Sequence, residues 1–444
     1  MKIQELYLKN FRCFEELTVK LPEQYAVFIG NNGAGKSSIL KALQILLDDF
    51  VTSIQFDMTD SVYNINFNSP EIRITDSDVR VRSLPNGSIF INEPQYPSTL
   101  KIVSEFAGNV VEWCTSFGNK TSGNPDENPV LPYVLGLQEK LVRNESVNLP
   151  IIVSYNSKRL WNEKKLPTNE NDEEEQQPFT PRLKGYVGCI EDSVLKSKNL
   201  REWFMRMLLI ERKKNVPEFQ AVKKAISDCY LAIDNRKNLQ KLLIDYDAEK
   251  EEDLEIQMFF NDGNVEILPL NYLSDGSKSI LAMVADIAYR MATLNPHLLG
   301  KVTEETDGVI LIDEIDLHLH PSWQRRIIDA LHKTFPKVQF IFTTHSPTVL
   351  TNVPRENILI LENGKIYSPE VKTYGRDVNS ILREVMQTEI RPKEITDKLT
   401  AFSDAIADEN LTEAEKILNE LKSQLGENDS EVVGAQVTLD LEKF

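Results

Sequence analysis

The sequence predicts an α/β protein: a parallel sheet carrying a glycine-rich loop, inserted β and helical regions, and a helical appendage at the carboxy terminus. Three observations predict it. The apolar run Tyr25-Ala26-Val27-Phe28-Ile29 passes through Gly30-Asn31-Asn32-Gly33-Ala34-Gly35-Lys36-Ser37 into Ser38-Ile39-Leu40-Lys41-Ala42-Leu43, so strand, glycine-rich loop and helix follow one another directly. Val309-Ile310-Leu311-Ile312 ends in Asp313-Glu314, the pattern of a buried parallel strand delivering acids to the edge where open α/β sheets bind ligands. Beyond Tyr374-Gly375-Arg376, apolar residues recur at helical spacing between acidic ones.

Ile3, Leu6 and Leu8, then Leu17, Val19 and Leu21, read as an amino-terminal strand pair running into the strand before the loop. From Asp48 to about Leu149, β-type segments such as Ile72-Arg73-Ile74 and Ser88-Ile89-Phe90-Ile91 are broken by Asn, Pro and Gly, as in an antiparallel arm. Pro150-Ile151-Ile152-Val153-Ser154-Tyr155 contains a short buried strand. Thr168 to Gln177 is acidic and non-periodic, so a mobile loop is expected over 168–178. Helical patterns fill roughly 195–243, and Gln257 to Val265 reads as a hairpin. No sustained heptad repeat is present, which excludes a long coiled-coil arm.

These readings divide the chain into a split head (1–75 and 255–370), an inserted arm and helical lid (76–254) and a carboxy-terminal helical region (371–444). In the last, Ile395, Leu399, Phe402 and Ile406 share one helical face. Leu411, Ala414, Leu418, Leu421 and Leu425 form another, with Thr412 and Glu415 at capping-box spacing. Such a region either packs on the head or serves partner docking or oligomerisation.

Composition sets limits on function. The 444 residues are 41% hydrophobic, enough for a substantial core, yet no apolar run approaches the roughly 20 residues that span a bilayer. With no secretory pattern at Met1-Lys2-Ile3-Gln4, a soluble cytoplasmic protein is expected. Cys13, Cys114, Cys189 and Cys229 are scattered singly, as buried reduced thiols would be. A net charge of −18 opposes a surface that grips nucleic acid throughout. Charge is uneven, however: Pro181 to Ile226 has 11 Lys/Arg against 5 Asp/Glu, whereas Glu394 to Phe444 has 13 acidic residues against 4 basic. The basic segment 182–224, with Arg206, Arg212, Lys213, Lys214, Lys223 and Lys224, is therefore where DNA would bind, if its lysines are not simply a solvated helical face.

The loop's chemistry is that of a triphosphate site with ATP and Mg2+ as cofactors. Backbone amides of Asn31, Asn32, Gly33, Ala34 and Gly35 can turn inward around phosphates, Lys36 can reach the β- and γ-phosphates, Ser37 offers magnesium a hydroxyl, and Ser38 opens the helix. Asp313 is the second magnesium-shell candidate, and Glu314 can orient or deprotonate an attacking water. His345 follows the apolar strand Val338 to Thr344, where it can sense a γ-phosphate. Leu273-Ser274-Asp275-Gly276 precedes a helical run, so Ser274 or Asp275 caps it.

In its order (phosphate loop, then Leu-Ser-Asp-Gly, then the acidic strand), the chain resembles ABC-type ATPases, and Asn32 makes the loop similar to those of RecF and SMC relatives. The resemblance implies a head-to-tail dimer in which Ser274 and Gly276 of one subunit close over the γ-phosphate held by the other. It also implies that Asp316 lies in the loop crossing that interface and that Phe11 and Arg12 lie near the adenine. Pro150 to Trp161, with Tyr155 and Arg159, resembles the P-x-x-x-x-Y-x-x-x-R segment of OLD-like ATPases. The tail, Tyr374-Gly375-Arg376-Asp377-Val378-Asn379 and then Arg391-Pro392 and Leu425-Gly426-Glu427, is similar to that of the PtuA ATPases of Septu antiphage systems.

That family resemblance implies an ATP-binding, ATP-hydrolysing subunit that scaffolds and regulates a separate HNH nuclease, PtuB, with retron components as a further partner set. No histidine or cysteine follows His345, so no HNH or zinc nuclease is expected after it. The alternative is a RecF-like repair ATPase that binds DNA directly. A transporter ATPase is the weakest reading.

Overall fold

The structure, a computed structural model, describes residues 1–55, 72–86, 89–106, 108–118, 130–157, 181–190, 197–234, 236, 238–246 and 254–443. The acidic segment expected over 168–178 and the residue Arg159 lie outside these. Two compact units are present, Met1–Arg376 and Asp377–Phe444.

The first unit opens with β1 (Lys2–Phe11), β2 (Phe14–Lys20), β3 (Tyr25–Gly30) and α1 (Lys36–Gln55). Then come β4 (Val81–Asn86), β5 (Ile89–Pro94), β6 (Ser98–Phe106), β7 (Asn109–Phe117), α2 (Leu131–Val142) and β8 (Ile151–Tyr155). α3 (Ser197–Glu211) and α4 (Pro217–Ile233) precede a meander of β9 (Leu239–Tyr246), β10 (Leu254–Phe260) and β11 (Val265–Pro269), which feeds α5 (Asp275–Leu294). The unit closes with α6 (Val302–Glu305), β12 (Gly308–Ile312), α7 (Pro321–Gln324), α8 (Ile327–Thr334), β13 (Val338–Thr343), α9 (Pro347–Leu350), β14 (Ile358–Glu362) and β15 (Lys365–Tyr367).

The main sheet has the order β15-β14-β3-β13-β12-β8, with every pairing parallel except β14 with β15. β12 and β13 are buried along their whole length, and β3 at all but its two end residues, as expected of a parallel sheet covered on both faces. β3, β12 and β13 are adjacent, so the loop after Gly30, the acids after Ile312 and the residues after Thr343 emerge at one edge. A second, antiparallel sheet has the order β2-β1-β6-β7. Among the described residues, no helix is long and apolar enough to cross a membrane.

The boundaries expected from sequence need correction. Residues 76–254 are not one insertion: β6 pairs with β1 from Lys2 to Lys9, and β8 forms the far edge of the main sheet beside β12. All five residues of β8 are buried, because its exposed edge is covered by the segment that follows: Ser154 N–H donates to Cys189 O at 2.7 Å and the Tyr186 hydroxyl to Pro150 O at 2.7 Å. The helical expectation over 195–243 fails at its end, where Leu242 and Ile244 alternate inward on β9, paired with β10. The hairpin expected at 257–265 is present as β10 and β11, whereas Ile72 to Ile74 forms no strand. Cys189 and Cys229 are buried, but Cys13 and Cys114 are exposed.

The second unit contains α10 (Val378–Glu384), α11 (Lys393–Ala407), α12 (Leu411–Leu425) and α13 (Ser430–Glu442). Ile395 and Phe402 pack with Ala414, Leu418 and Leu421 and with Val432, Ala435 and Leu439, so three helices share one core. Two helices were legible in the pattern. α13 was not, because Val433, Val437 and Leu441 leave apolar residues on its exposed side as well. The unit begins at Asp377 rather than 371, since Thr373 Oγ1 donates to Val353 O and Gly375 N–H to Thr351 O within the head. α12 is capped by Asn410, whose side chain accepts from Glu413 N–H, and not by Thr412.

Candidate functional site

The glycine-rich loop owes its shape to backbone that only glycine adopts freely. Gly35 has φ of 106°, and a Cβ there would lie 2.5 Å from the Phe14 ring and 2.7 Å from Cys13 Sγ. The loop can therefore close on the β1–β2 hairpin only without a side chain at this position. At the start of α1, Lys36 is buried and its ammonium donates to Gly30 O at 2.8 Å and Asn31 O at 3.1 Å. Burial lowers its pKa, opposed by Asp313 and Glu314 across the site. Asn31, Asn32, Gly33 and Ser37 are exposed, and Ala34, Gly35 and Ser38 partly so, leaving the loop open to a ligand.

The acids arrive from β12. Asp313 Oδ2 accepts from Ser37 Oγ at 3.3 Å, which joins the two expected magnesium-shell residues directly. Two hard oxygen donors at that spacing fit a small divalent cation. Asp313 Oδ1 accepts from the hydroxyl of Thr343, and the same hydroxyl accepts from Glu314 N–H at 2.8 Å. Glu314 has φ of 49°, in the left-handed region that a residue other than glycine seldom adopts. The next loop is tied down in the same way: Thr344 donates to Asp316 Oδ1, and Ser346 Oγ donates to Gln324 Oε1 at 2.7 Å. His345 stands exposed between these two buried residues. Thr343, Thr344 and Gln324 were not singled out from sequence. The only available signal was their position at a strand end or just after a loop rich in histidine.

The Leu-Ser-Asp-Gly segment sits elsewhere in the same chain. Ser274 is the amino cap of α5, accepting from Ser277 N–H at 3.3 Å. Gly276 is pressed against the loop after Glu314: a Cβ on it would lie 2.5 Å from His318 O. The structure thus brings the Gly276 turn and the Asp316 loop together. Among the described residues, no hydrogen bond joins Ser274 or Gly276 to the phosphate loop. Arg12 is partly committed, its Nε donating to Asp78 Oδ1 at 2.8 Å while Phe11 is core. Burial pushes the Asp78 carboxyl up, but hydrogen bonds from Thr75 and Arg12 outweigh it and hold the pKa below its ordinary value.

A family model for the AAA ATPase domain matches residues 1–350, the part of the chain that contains this entire site. The chain belongs to the AAA ATPase domain family. Its P-loop, acidic strand and sheet order are accordingly those of a nucleotide-binding ATPase head. The chain is 27% identical to the Retron Ec83 probable ATPase of Escherichia coli, an alignment covering 100% of this chain and 87% of that one. It is 34% identical to the Septu protein PtuA of Bacillus mycoides (strain KBAB4) over 37% of this chain and 20% of that protein. The SMC head domain from Thermotoga maritima aligns at 14% identity with a TM-score of 0.42, covering 84% of this chain and 100% of that one.

Proposed function

We propose that the chain is the ATP-binding and ATP-hydrolysing subunit of an antiphage defence complex, acting as paired copies that scaffold and regulate a nuclease carried on another polypeptide. One observation carries the pairing: Ser274 is exposed at the amino end of α5 and bonds nothing in its own phosphate loop, as a site closed by a second copy requires. Similarity to proteins named as retron and Septu components supports the defence context.

In this reading the amides of Asn31 to Gly35 and the start of α1 at Ser38 hold the phosphates, Lys36 neutralises the β- and γ-phosphates, and Ser37 and Asp313 hold magnesium. When bound, ATP and magnesium supply the phosphoanhydride and the charge neutralisation for its cleavage. Glu314 orients or deprotonates water, and His345 donates to the γ-phosphate. Arg12 lies near the base. Ser274 and Gly276 of the second copy present a helix amino end to the same γ-phosphate, and Asp316 lies between the copies. Unit Asp377–Phe444 is the docking region for the nuclease, of the HNH PtuB type, or for retron components.

The expected outcome is that Lys36→Ala abolishes ATP binding, while Glu314→Gln binds ATP and sediments as a pair. Co-expression with an HNH nuclease of the PtuB type should yield a complex that is lost without residues 371–444. Absence of a complex for the full chain would sink the nuclease part of this reading.

A second reading, direct DNA binding, draws on α3. Arg206 and Leu209 on that helix and Arg212, Lys213 and Lys214 in the turn after it are exposed, and the first four line a surface hollow with Ile210. Lys223 and Lys224 contribute less than expected, since Lys223 is 2.6 Å from Glu211 and Lys224 3.8 Å from Glu304. Steeply salt-dependent binding of duplex DNA by the isolated chain, reduced by Lys213→Glu, would favour it.

A further inference from the structure

Tyr155 makes two bonds in opposite directions. Its carbonyl accepts from Asp313 N–H at 2.8 Å, fixing the backbone of the acidic residue at the end of β12. Its hydroxyl donates to Asp286 Oδ2 at 2.6 Å, in the middle of α5. The same carboxylate oxygen accepts from Arg290 Nε at 2.9 Å, and Arg290 Nη1 reaches Gly185 O and Val187 O at 2.9 and 3.0 Å. Tyr155, Asp286 and Arg290 are 1%, 3% and 6% exposed. Burial, reinforced by Asp286, pushes the tyrosine pKa far up, so the hydroxyl is a permanent donor.

Packing alone does not call for this arrangement. Phenylalanine fills nearly the same volume as tyrosine, and a buried ion pair is seldom more stable than apolar residues of similar size. What the network adds is direction. α5 is a rod whose amino end, Ser274 to Ser277, lies about 14 to 18 Å from Asp286 at about 1.5 Å per residue. From Asp286 one hydrogen bond leads to Tyr155, and one more leads from Tyr155 to Asp313. On its other side β8 is tied to α1, as Gln44 Nε2 donates to Ser154 Oγ at 2.7 Å.

We infer that Tyr155 is a positioning residue that couples the amino end of α5, which closes on one nucleotide, to Asp313, which serves the nucleotide held in the same chain. The inference rests on the paired-copy reading. In a pair, each chain then reports closure at the neighbour's site to its own acids, and the two sites act together.

The test uses the full chain in the Glu314→Gln background, with the affinity of a fluorescent ATP analogue and the dissociation constant of the ATP-dependent pair measured separately. Tyr155→Phe keeps the backbone bond to Asp313 and leaves Asp286 paired with Arg290, so folding is retained. The expected result is an analogue affinity within twofold of the parent and a pair weakened about tenfold, the equivalent of one hydrogen bond to a charged group. Ser274→Ala should weaken the pair too, and the double variant should be no worse than the more severe single one, because both act through one helix. An unchanged pair, a parallel loss of analogue affinity, or strictly multiplicative effects would each overturn the coupling while leaving the paired-copy reading intact. If Glu314→Gln alone stays single with ATP, the paired-copy reading fails and the coupling fails with it.

Discussion

Thr343 holds Asp313 with its hydroxyl hydrogen and the backbone of Glu314 with its hydroxyl oxygen, so one side chain on β13 sets the orientation of both acids at the end of β12. Neighbouring parallel strands make this possible, because β13 ends beside β12 at the same level of the sheet.

Thr343→Val keeps the shape of the side chain and removes both bonds. Phosphate release should slow by about 10- to 100-fold, in line with two lost bonds to groups at the site, while ATP affinity changes less than threefold. A turnover within twofold of the parent would show that the acids orient themselves.

Gly276→Ala places a methyl group where the His318 carbonyl already sits, 2.5 Å from the new Cβ. Backbone on both sides must shift, at about 1–3 kcal/mol for overpacking of this kind. The melting temperature should fall by several degrees, and ATP-dependent pairing should be lost at concentrations where the parent pairs.

Arg12→Gln removes the guanidinium beside Asp78, whose carboxyl is held below its ordinary pKa. A carboxyl with a lowered folded-state pKa adds stability above the unfolded value near 3.9, and this is lost as pH falls through the folded value. The parent should therefore lose stability between about pH 5 and 3 more steeply than the variant. Urea midpoints at pH 7, 5, 4 and 3 read the difference, and parallel curves would mean that the pair contributes nothing.

Asn410→Ala removes the cap of α12 and should cost the second unit about 1 kcal/mol, whereas Thr412→Ala should be nearly silent. Amide exchange over residues 411–414 separates the two. Equal protection in both variants would restore Thr412 as the cap.

The sequence announces the site wherever the chemistry is local. Gly30 to Ser37 and Val309 to Glu314 each carry strand, turn and functional group in one short run, and the structure places them side by side. Pairings between distant segments leave no such trace. β8 reads as a buried strand, but nothing in Ile151 to Tyr155 says that its neighbour begins at Gly308. Thr343 and Asp78 act through partners 30 and 66 residues away, and a threonine or aspartate in those positions looks ordinary. Asp286 and Arg290 did offer a signal, the one i, i+4 charge pair beyond the first turn of a largely apolar helix, which marks a buried ion pair. α13 was lost for the opposite reason: apolar residues on all sides erase the periodicity that betrays a helix.

The strand order has a consequence for biosynthesis. β3, which leads into the phosphate loop, is flanked in the sheet by β13 and β14, both encoded more than 300 residues later than β3 begins. A ribosome must translate past residue 343 before that strand has its first neighbour and past residue 362 before it has both, and contacts so remote in sequence are slow to form. Nascent chains still emerging on one message therefore lack a finished nucleotide site, and the head becomes competent only after nearly all of itself has been made.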